Sequence, residues 1–194
     1  MHWQVMRRSF IVSVAILMGV SMFLNVSAVS TVHAEEDAIV AVGDTLQPFM
    51  LKRYSGDGEY VALRDYAGTP RKPWSALPRR PVVLSFFANW CQPCRREIPE
   101  LTEVSKEWGD SVSVFLISVG DKPDQVASFL QEVPTTLPIL LDPYKVTSTE
   151  RYGVSALPTV IVVDGESVVQ YVGVGFHEDS IDRLKGVIEG LLSE

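Results

Sequence analysis

The chain has 194 residues, of which 46% are hydrophobic and 21% charged, a balance typical of a globular protein and not of a disordered one. That length accommodates one domain of ordinary size and leaves little room for a second. With 17 Lys and Arg residues against 24 Asp and Glu residues, the net charge is −7. An acidic chain without a basic patch repels nucleic acid and anionic lipid, so we expect no nucleic-acid partner.

The beginning of the chain has the pattern of a secretory signal. Arg7 and Arg8 precede an apolar stretch, Phe10–Leu24, and a segment of small residues and then acidic residues follows. The apolar stretch is shorter than the roughly 20 residues that cross a bilayer. We therefore expect residues 1–34 to be a signal peptide, with an uncleaved N-terminal anchor as the alternative. Residues 35–194 are then the single folded domain, located outside the cytoplasm in the periplasm.

The first part of this domain is predicted to be irregular apart from one hairpin. Residues 35–48 form a lead-in, and the strand-like segments 49–51 and 60–63 flank a Ser-Gly-Asp-Gly turn, which favours a β-hairpin. Residues 67–81 contain four prolines and are predicted to be a loop. Trp74 within this loop is interpreted as a cap on the domain surface or as a partner contact.

The rest of the chain alternates between predicted strands and helices. The run Val82–Phe87 is apolar almost throughout, which is typical of a strand buried on both faces of a sheet. Further strands are predicted at 112–119, 138–141, 159–163 and 167–172, and helices at 92–108, 124–132, 146–153 and 178–192. This alternation indicates an α/β sheet with helices on both faces, closed by an antiparallel hairpin.

Both cysteines of the chain, Cys91 and Cys94, lie in one Cys-x-x-Cys motif between the buried strand and the following helix. A cysteine at a helix start meets the positive end of the helix dipole and unpaired backbone N–H groups, which favour the thiolate. We therefore predict Cys91 to be an exposed nucleophile and Cys94, one turn further, to be a shielded resolving thiol. Such a redox pair cycles through a mixed disulfide with its substrate. Pro93 suits the first helical turn because it lacks an N–H group.

Two other interpretations of the cysteine pair are weaker. A purely structural disulfide across two residues closes almost no loop and stabilises the fold little. A zinc site needs four ligands, and His177 is the only histidine that follows the leader. We therefore expect no metal and no cofactor.

The segment Phe86–Leu101 contains Trp-Cys-Gln-Pro-Cys-Arg-Arg-Glu and resembles the active-site segment of the TlpA-like and ResA-like thioredoxin-family thiol–disulfide oxidoreductases, which include the cytochrome c maturation thioredoxins. The resemblance continues through residues 138–142 and 152–159 and covers about residues 43–190. It implies a thioredoxin-like α/β fold, in which a central mixed sheet is flanked by helices and carries an N-terminal β-hairpin extension and a central insertion. It also implies a monomeric dithiol reductant that receives electrons from a membrane donor and acts on apocytochrome c or on a copper-site assembly protein.

The resemblance assigns roles to three further residues. Pro158 matches the family's cis-proline, which contacts the substrate backbone, and Trp90 would cover the active site, although a tryptophan at a strand end is often a core residue. Glu97 matches an acidic residue that adjusts cysteine reactivity and relays protons; an ordinary solvated helix glutamate is the alternative. Typical thioredoxins have a buried aspartate where Ser85 stands, so any proton relay here must use Glu97 or water.

Two other functions stay open, and a third is disfavoured. An oxidase or isomerase of secreted-protein disulfides uses the same cysteines, although Gln92-Pro93 contains no histidine that would stabilise the thiolate. A Sco-like copper chaperone has three residues between its cysteines and a distal histidine, whereas here the spacing is two and His177 lies near the terminal helix. A thiol peroxidase requires a cysteine flanked by proline and threonine, which the chain lacks.

Overall fold

The computed structural model of the protein describes residues 40–55, 58–70 and 79–193. The predicted signal peptide, the start of the lead-in and Trp74 lie outside these residues. The described helices and strands are β1 Met50–Arg53, β2 Tyr60–Ala62, β3 Val82–Phe87, α1 Cys94–Trp108, β4 Ser113–Val119, α2 Pro123–Glu132, β5 Ile139–Asp142, β6 Thr159–Val163, β7 Val169–Val174 and α3 Ser180–Leu192. Two 3-10 turns, Leu63–Asp65 and Gly109–Ser111, and a short π-helical segment, Val146–Arg151, lie between them. Within the same residues, none of the helices combines the length and hydrophobicity that crossing a bilayer requires.

The seven described strands form one mixed sheet in the order β2-β1-β5-β4-β3-β6-β7. β3, β4 and β5 are mutually parallel, and all other pairs are antiparallel. The β1–β2 hairpin pairs with β5 at one edge and confirms the predicted N-terminal extension. α2 and β5 lie between β4 and the π-helical segment, where they form the central insertion that the resemblance implies. β3 therefore lies between β4 and β6, near the middle of the sheet.

The sheet separates two apolar cores. Alternate residues of β3 point to opposite sides, Phe87 to one core and Phe86 to the other. All three α-helices bury apolar side chains in the core of Phe87, including Ile98, Phe129 and Leu184. The core of Phe86 is covered by the segment before β1 and by residues that follow the π-helical segment. Helices therefore cover the two faces unequally, because the helix predicted at 146–153 is only the short π-helical segment Val146–Arg151.

Candidate active site

Cys91 and Cys94 form a disulfide just beyond the C-terminal end of β3, with their Cα atoms 5.4 Å apart. Pro93 is the N-cap residue of α1, and its φ of −63° is the angle that the proline ring imposes. The helix therefore begins at Cys94, two residues later than predicted, and the Cys94 N–H group donates to Sγ of Cys91 over 3.3 Å. Because the first N–H groups of a helix have no partner within it, this position stabilises negative charge on sulfur.

The expected difference in exposure between the two cysteines is wrong for Cys91. The exposed fraction is 1% for Cys91 and 0% for Cys94, and both belong to the core of Phe87 and Ile98. The reason is that Cys91, like Cys94, packs among the apolar side chains of this core. The roles of Cys91 as nucleophile and Cys94 as resolving thiol stay predictions, since exposure does not distinguish the two cysteines in the oxidised protein.

Trp90 directly precedes the disulfide, and 68% of its surface is exposed. The interpretation of Trp90 as a core residue is therefore wrong. A cover role stays a prediction. A large exposed aromatic ring beside a reactive pair offers apolar contact area to a partner, as such residues do at protein interfaces.

Pro158 lies at the same end of the sheet as the disulfide. The Leu157–Pro158 peptide bond is cis, which is the geometry that the resemblance implies. The next residue, Thr159, pairs with Phe86 near the end of β3, so Pro158 is placed beside the residues that lead to Cys91. The carbonyl oxygen of Pro158 accepts a hydrogen bond of 2.8 Å from the N–H group of Gly175, which follows β7.

Glu97 lies in the first turn of α1, three residues after Cys94 and therefore on the same side of the helix. Only 2% of its surface is exposed, so the interpretation of a solvated glutamate is wrong. The hydroxyl of Ser85 donates a hydrogen bond of 2.7 Å to Oε2 of Glu97. Ser85 thus stands where typical thioredoxins have an acid and supports an acid from the neighbouring helix instead.

Burial is the main reason that the pKa of Glu97 is raised from 4.5 to about 7. The nearby charge of Glu100 raises the pKa further, whereas the hydrogen bond from Ser85 favours the ionised form and lowers it. A carboxyl with this pKa exchanges a proton near neutral pH. Glu97 can therefore hold or release a proton one turn away from Cys94.

A cavity of ≈ 10 Å³ lies against Glu97 and is lined also by Tyr171, Gly173 and residues of the first turn of α3. This volume is about that of one water molecule. Burial raises the pKa of Tyr171, and the charge of Glu97 contributes in the same direction. Glu97 and Tyr171 thus border one small space between β7 and α3.

Asp121 and Arg95, to which the sequence analysis assigned no role, hold the turn before the cysteines by hydrogen bonds. Oδ2 of the buried Asp121 accepts a hydrogen bond of 2.9 Å from the Asn89 N–H group and one of 2.8 Å from the Ser118 hydroxyl. The Arg95 guanidinium donates to the Asn89 carbonyl over 3.1 Å and forms an ion pair with Glu132. These contacts tie the turn to β4 and to α1, so the backbone that carries Cys91 is held from two sides.

Ser85 and Asp121 are both polar residues within or just after a buried apolar strand, and this position in the sequence is recognisable. Ser85 interrupts an apolar strand whose six residues are all buried, and Asp121 lies two residues after the end of β4. Buried polar groups nearly always have hydrogen-bond partners. A polar residue in such a position therefore indicates a partner elsewhere in the chain, although the pattern does not say which.

The described residues contain no group of three or more His, Cys, Asp and Glu side chains arranged to hold a metal ion. They do bring together a Cys-x-x-Cys disulfide at a helix start, a cis-proline directly before the adjacent strand and a buried acid one turn along the helix. With the order of the central strands, this arrangement defines the class of thioredoxin-like proteins that exchange thiols and disulfides.

Comparison with known proteins assigns the chain within this class. The model of the AhpC/TSA family matches residues 42–172. The thioredoxin-like protein YneN of Bacillus subtilis is 30% identical over 146 residues, which cover 74% of this chain and 77% of that protein. The thiol-disulfide oxidoreductase ResA of Geobacillus thermodenitrificans is 29% identical over 155 residues, which cover 78% of this chain and 81% of that protein. A solved structure described as a thiol:disulfide interchange protein DsbE from Chlorobium tepidum matches with a TM-score of 0.67 at 27% identity and covers 79% of this chain and 99% of that chain.

The chain belongs to the AhpC/TSA family. Its thioredoxin-like fold and its cysteine pair, together with these relatives, make it a thiol–disulfide oxidoreductase.

Proposed function

We propose that this protein is an exported dithiol reductant. In its reduced form, Cys91 attacks a disulfide of a protein substrate, a mixed disulfide forms, and Cys94 then releases the reduced substrate and closes the Cys91–Cys94 bond. The observation that carries the proposal is this disulfide at the start of α1, with the buried and protonatable Glu97 one turn along the same helix.

The surroundings of the pair favour a reductant over an oxidant. Strong oxidants of this class are oxidising because their reduced form, with a stabilised thiolate, is the more stable one. Here the residues between the cysteines are Gln92 and Pro93, and neither has a charge that would stabilise a thiolate. Ionised Glu97 adds negative charge on the side of Cys94, which disfavours the thiolate. Both features make the disulfide the more stable state and the dithiol a good electron donor.

The leader supports the place of action that we propose. Its basic start and short apolar stretch are those of a secretory signal, so the domain acts in the periplasm, either free after cleavage or held by its N-terminal anchor. Outside the cytoplasm a dithiol needs a continuous supply of electrons, because that compartment is oxidising. A membrane protein is the donor that we propose, and the domain acts as a monomer.

The substrate class that we propose follows from the resemblance of the Trp90–Glu97 segment to the TlpA-like and ResA-like proteins. The substrates are the haem-binding cysteines of apocytochrome c or the cysteines of a copper-site assembly protein. To test this, the Cys94→Ser variant is produced with its leader in a host that makes c-type cytochromes, and mixed disulfides are isolated under non-reducing conditions. We expect apocytochrome c or a copper-site protein bound through Cys91; a Cys91→Ser, Cys94→Ser double variant controls for unspecific capture.

The direction of electron transfer is tested by the reduction potential of the purified protein in defined thiol–disulfide buffers, with Cys91→Ser as control. We expect a value near or below that of thioredoxin, about −270 mV. A value near −120 mV, where strong oxidants lie, would contradict the proposal and assign the protein as an oxidase of secreted-protein disulfides. A tight stoichiometric Cu(I) complex that requires His177 would instead assign it as a copper chaperone.

A further inference from the structure

One cation in the first turn of α1 has an aromatic contact and, among the described residues, no carboxylate partner. Arg96 is exposed and lies two residues after Cys94 in the first turn of α1. Its guanidinium carbon lies 5.4 Å from the centroid of the Phe176 ring. Among the described residues, the ion pairs use other cations, including the neighbouring Arg95, and none uses Arg96.

The Arg96–Phe176 stack joins the two parts of the site that a substrate must contact. Arg96 is on the helix that begins at Cys94, and Phe176 follows Gly175, whose N–H group donates to the Pro158 carbonyl over 2.8 Å. Arg96 therefore belongs to the helix that carries Cys94, and its aromatic partner Phe176 belongs to the segment that is hydrogen-bonded to Pro158. A substrate segment bound along Pro158 would lie beside the Gly175–Phe176 segment, on which Arg96 is stacked.

Stacking on an aromatic ring restricts the orientation of a guanidinium while its edge keeps N–H donors directed to the surroundings. Such an edge matches the geometry of a carboxylate, with two parallel hydrogen bonds. An oriented, unpaired arginine thus has less conformational freedom to lose on binding than a freely rotating side chain. The chain as a whole has a net charge of −7 and repels acidic partners, so attraction for a carboxylate at this place is a local property of the site.

We propose that Arg96 is a specificity-determining residue, which binds a carboxylate of an Asp or Glu that stands next to the attacked cysteine in the substrate protein. The inference rests on the proposed thiol–disulfide exchange with protein substrates and names the chemistry of the segment that is recognised. Phe176 is a positioning residue, since it acts by orienting Arg96.

The test uses the full chain, reduced and freed of reductant, with short single-cysteine peptides that carry a 2-thiopyridyl mixed disulfide. The Cys91 thiolate attacks the peptide sulfur, forms a Cys91–peptide disulfide and releases 2-thiopyridone, which is followed by its absorbance. Cys94 then attacks Cys91, closes the protein disulfide and releases the peptide thiol. The protein dithiol loses two electrons and the mixed disulfide gains them, while the two thiol protons end on 2-thiopyridone and on the peptide thiol. In each peptide, Glu, Gln or Lys stands one or two residues before or after the cysteine.

For at least one peptide position, we expect the Glu peptide to react about 2- to 5-fold faster than the Gln peptide, which is the range of an exposed ion pair. The Lys peptide reacts more slowly than both. Arg96→Gln should abolish this ratio, Arg96→Glu should reverse it in favour of Lys, and Phe176→Leu should reduce it. Salt at about 1 M should also remove it in the unchanged protein, because the Debye length falls to about 3 Å.

Lys106→Gln is the matched control, since it removes one positive charge from the same helix at a residue that is already paired with Glu103. It should keep the ratio of the unchanged protein. Taking ratios between peptides within each variant cancels any general effect of Arg96 on the reactivity of Cys91. If Arg96→Gln keeps the Glu-to-Gln ratio, or if the unchanged protein shows none at any position, this inference is wrong and the proposed function stands. If no peptide reacts with the reduced protein at all, the proposed function itself is wrong.

Discussion

Replacing Glu97 with glutamine tests the buried carboxyl beside the disulfide. Because burial raises the pKa of Glu97 from 4.5 to about 7, the folded state keeps a proton between these pH values that the unfolded state releases. The free energy of unfolding therefore falls as the pH rises from about 4.5 to about 7 and stays at the lower level above that. At about 1.4 kcal/mol for each pH unit, the whole loss is about 3 kcal/mol.

Glu97→Gln keeps the shape of the side chain and cannot ionise, so the variant should not lose stability in this window. At pH 8 we expect it to be more stable than the unchanged protein by about 2 to 3 kcal/mol, after allowing about 1 kcal/mol for an altered hydrogen bond to Ser85. At pH 4.5 the two proteins should differ by no more than about that 1 kcal/mol. The measurement is urea unfolding of the oxidised proteins, followed by tryptophan fluorescence at half-unit steps from pH 4.5 to 8.5.

Glu189→Gln provides the control, because Glu189 is an exposed glutamate on α3. The free energy of unfolding of the Glu189→Gln variant should equal that of the unchanged protein at every pH. The reasoning is refuted if Glu97→Gln loses stability between pH 4.5 and 7 with the same slope as the unchanged protein. Glu97 would then ionise in the folded protein as it does in the unfolded chain.

Three further outcomes test the contacts around the pair. Ser85→Ala removes the hydroxyl that favours ionised Glu97, so the pH at which stability stops falling should move upward in the same urea series; an unmoved end point would show that this hydrogen bond has no influence on the carboxyl. Asp121→Ala leaves the Asn89 N–H group without its acceptor and should lower the free energy of unfolding by about 1–3 kcal/mol, whereas Asp121→Asn, which retains an acceptor oxygen, should lose less. In reduced protein that lacks Cys94, Glu97→Gln should change the pH dependence of Cys91 alkylation by iodoacetamide, and an identical profile would make Glu97 a structural residue only.

The strands and helices were predictable because their patterns are local. The β3 strand, Val82–Phe87, was predicted with its observed bounds because an apolar run rich in β-branched and aromatic residues suits a central strand. The start of α1 was predicted two residues too early, since Pro93 suits both the N-cap and the first helical turn. The predicted helix at 146–153 is a short π-helical segment, a difference of hydrogen-bond pattern that residue composition does not reveal.

The reactive cysteines were also determined by the sequence alone. A single Cys-x-x-Cys at a strand–helix junction leaves few other uses for two cysteines, and its flanking residues carry the family resemblance. Pro158 was found through that resemblance, because an X-Pro bond has by itself only a small chance, about 5–6%, of being cis.

Only the tertiary structure decided how these residues are surrounded. The spacing of Glu97 from Cys94 places both residues on the same side of the helix. The burial of Glu97, however, involves residues of β7 and α3, and its hydrogen bond comes from Ser85, twelve residues earlier in the chain. The stack of Arg96 on Phe176 likewise joins residues 80 positions apart. The periodicity of a helix or a strand relates residues that are close in sequence. The burial of a side chain and its contacts with other side chains depend instead on which distant segments the sheet order brings together. The sequence therefore determines which groups can react, and the packed sheet and helices determine the proton affinity and the exposed surface with which they do so.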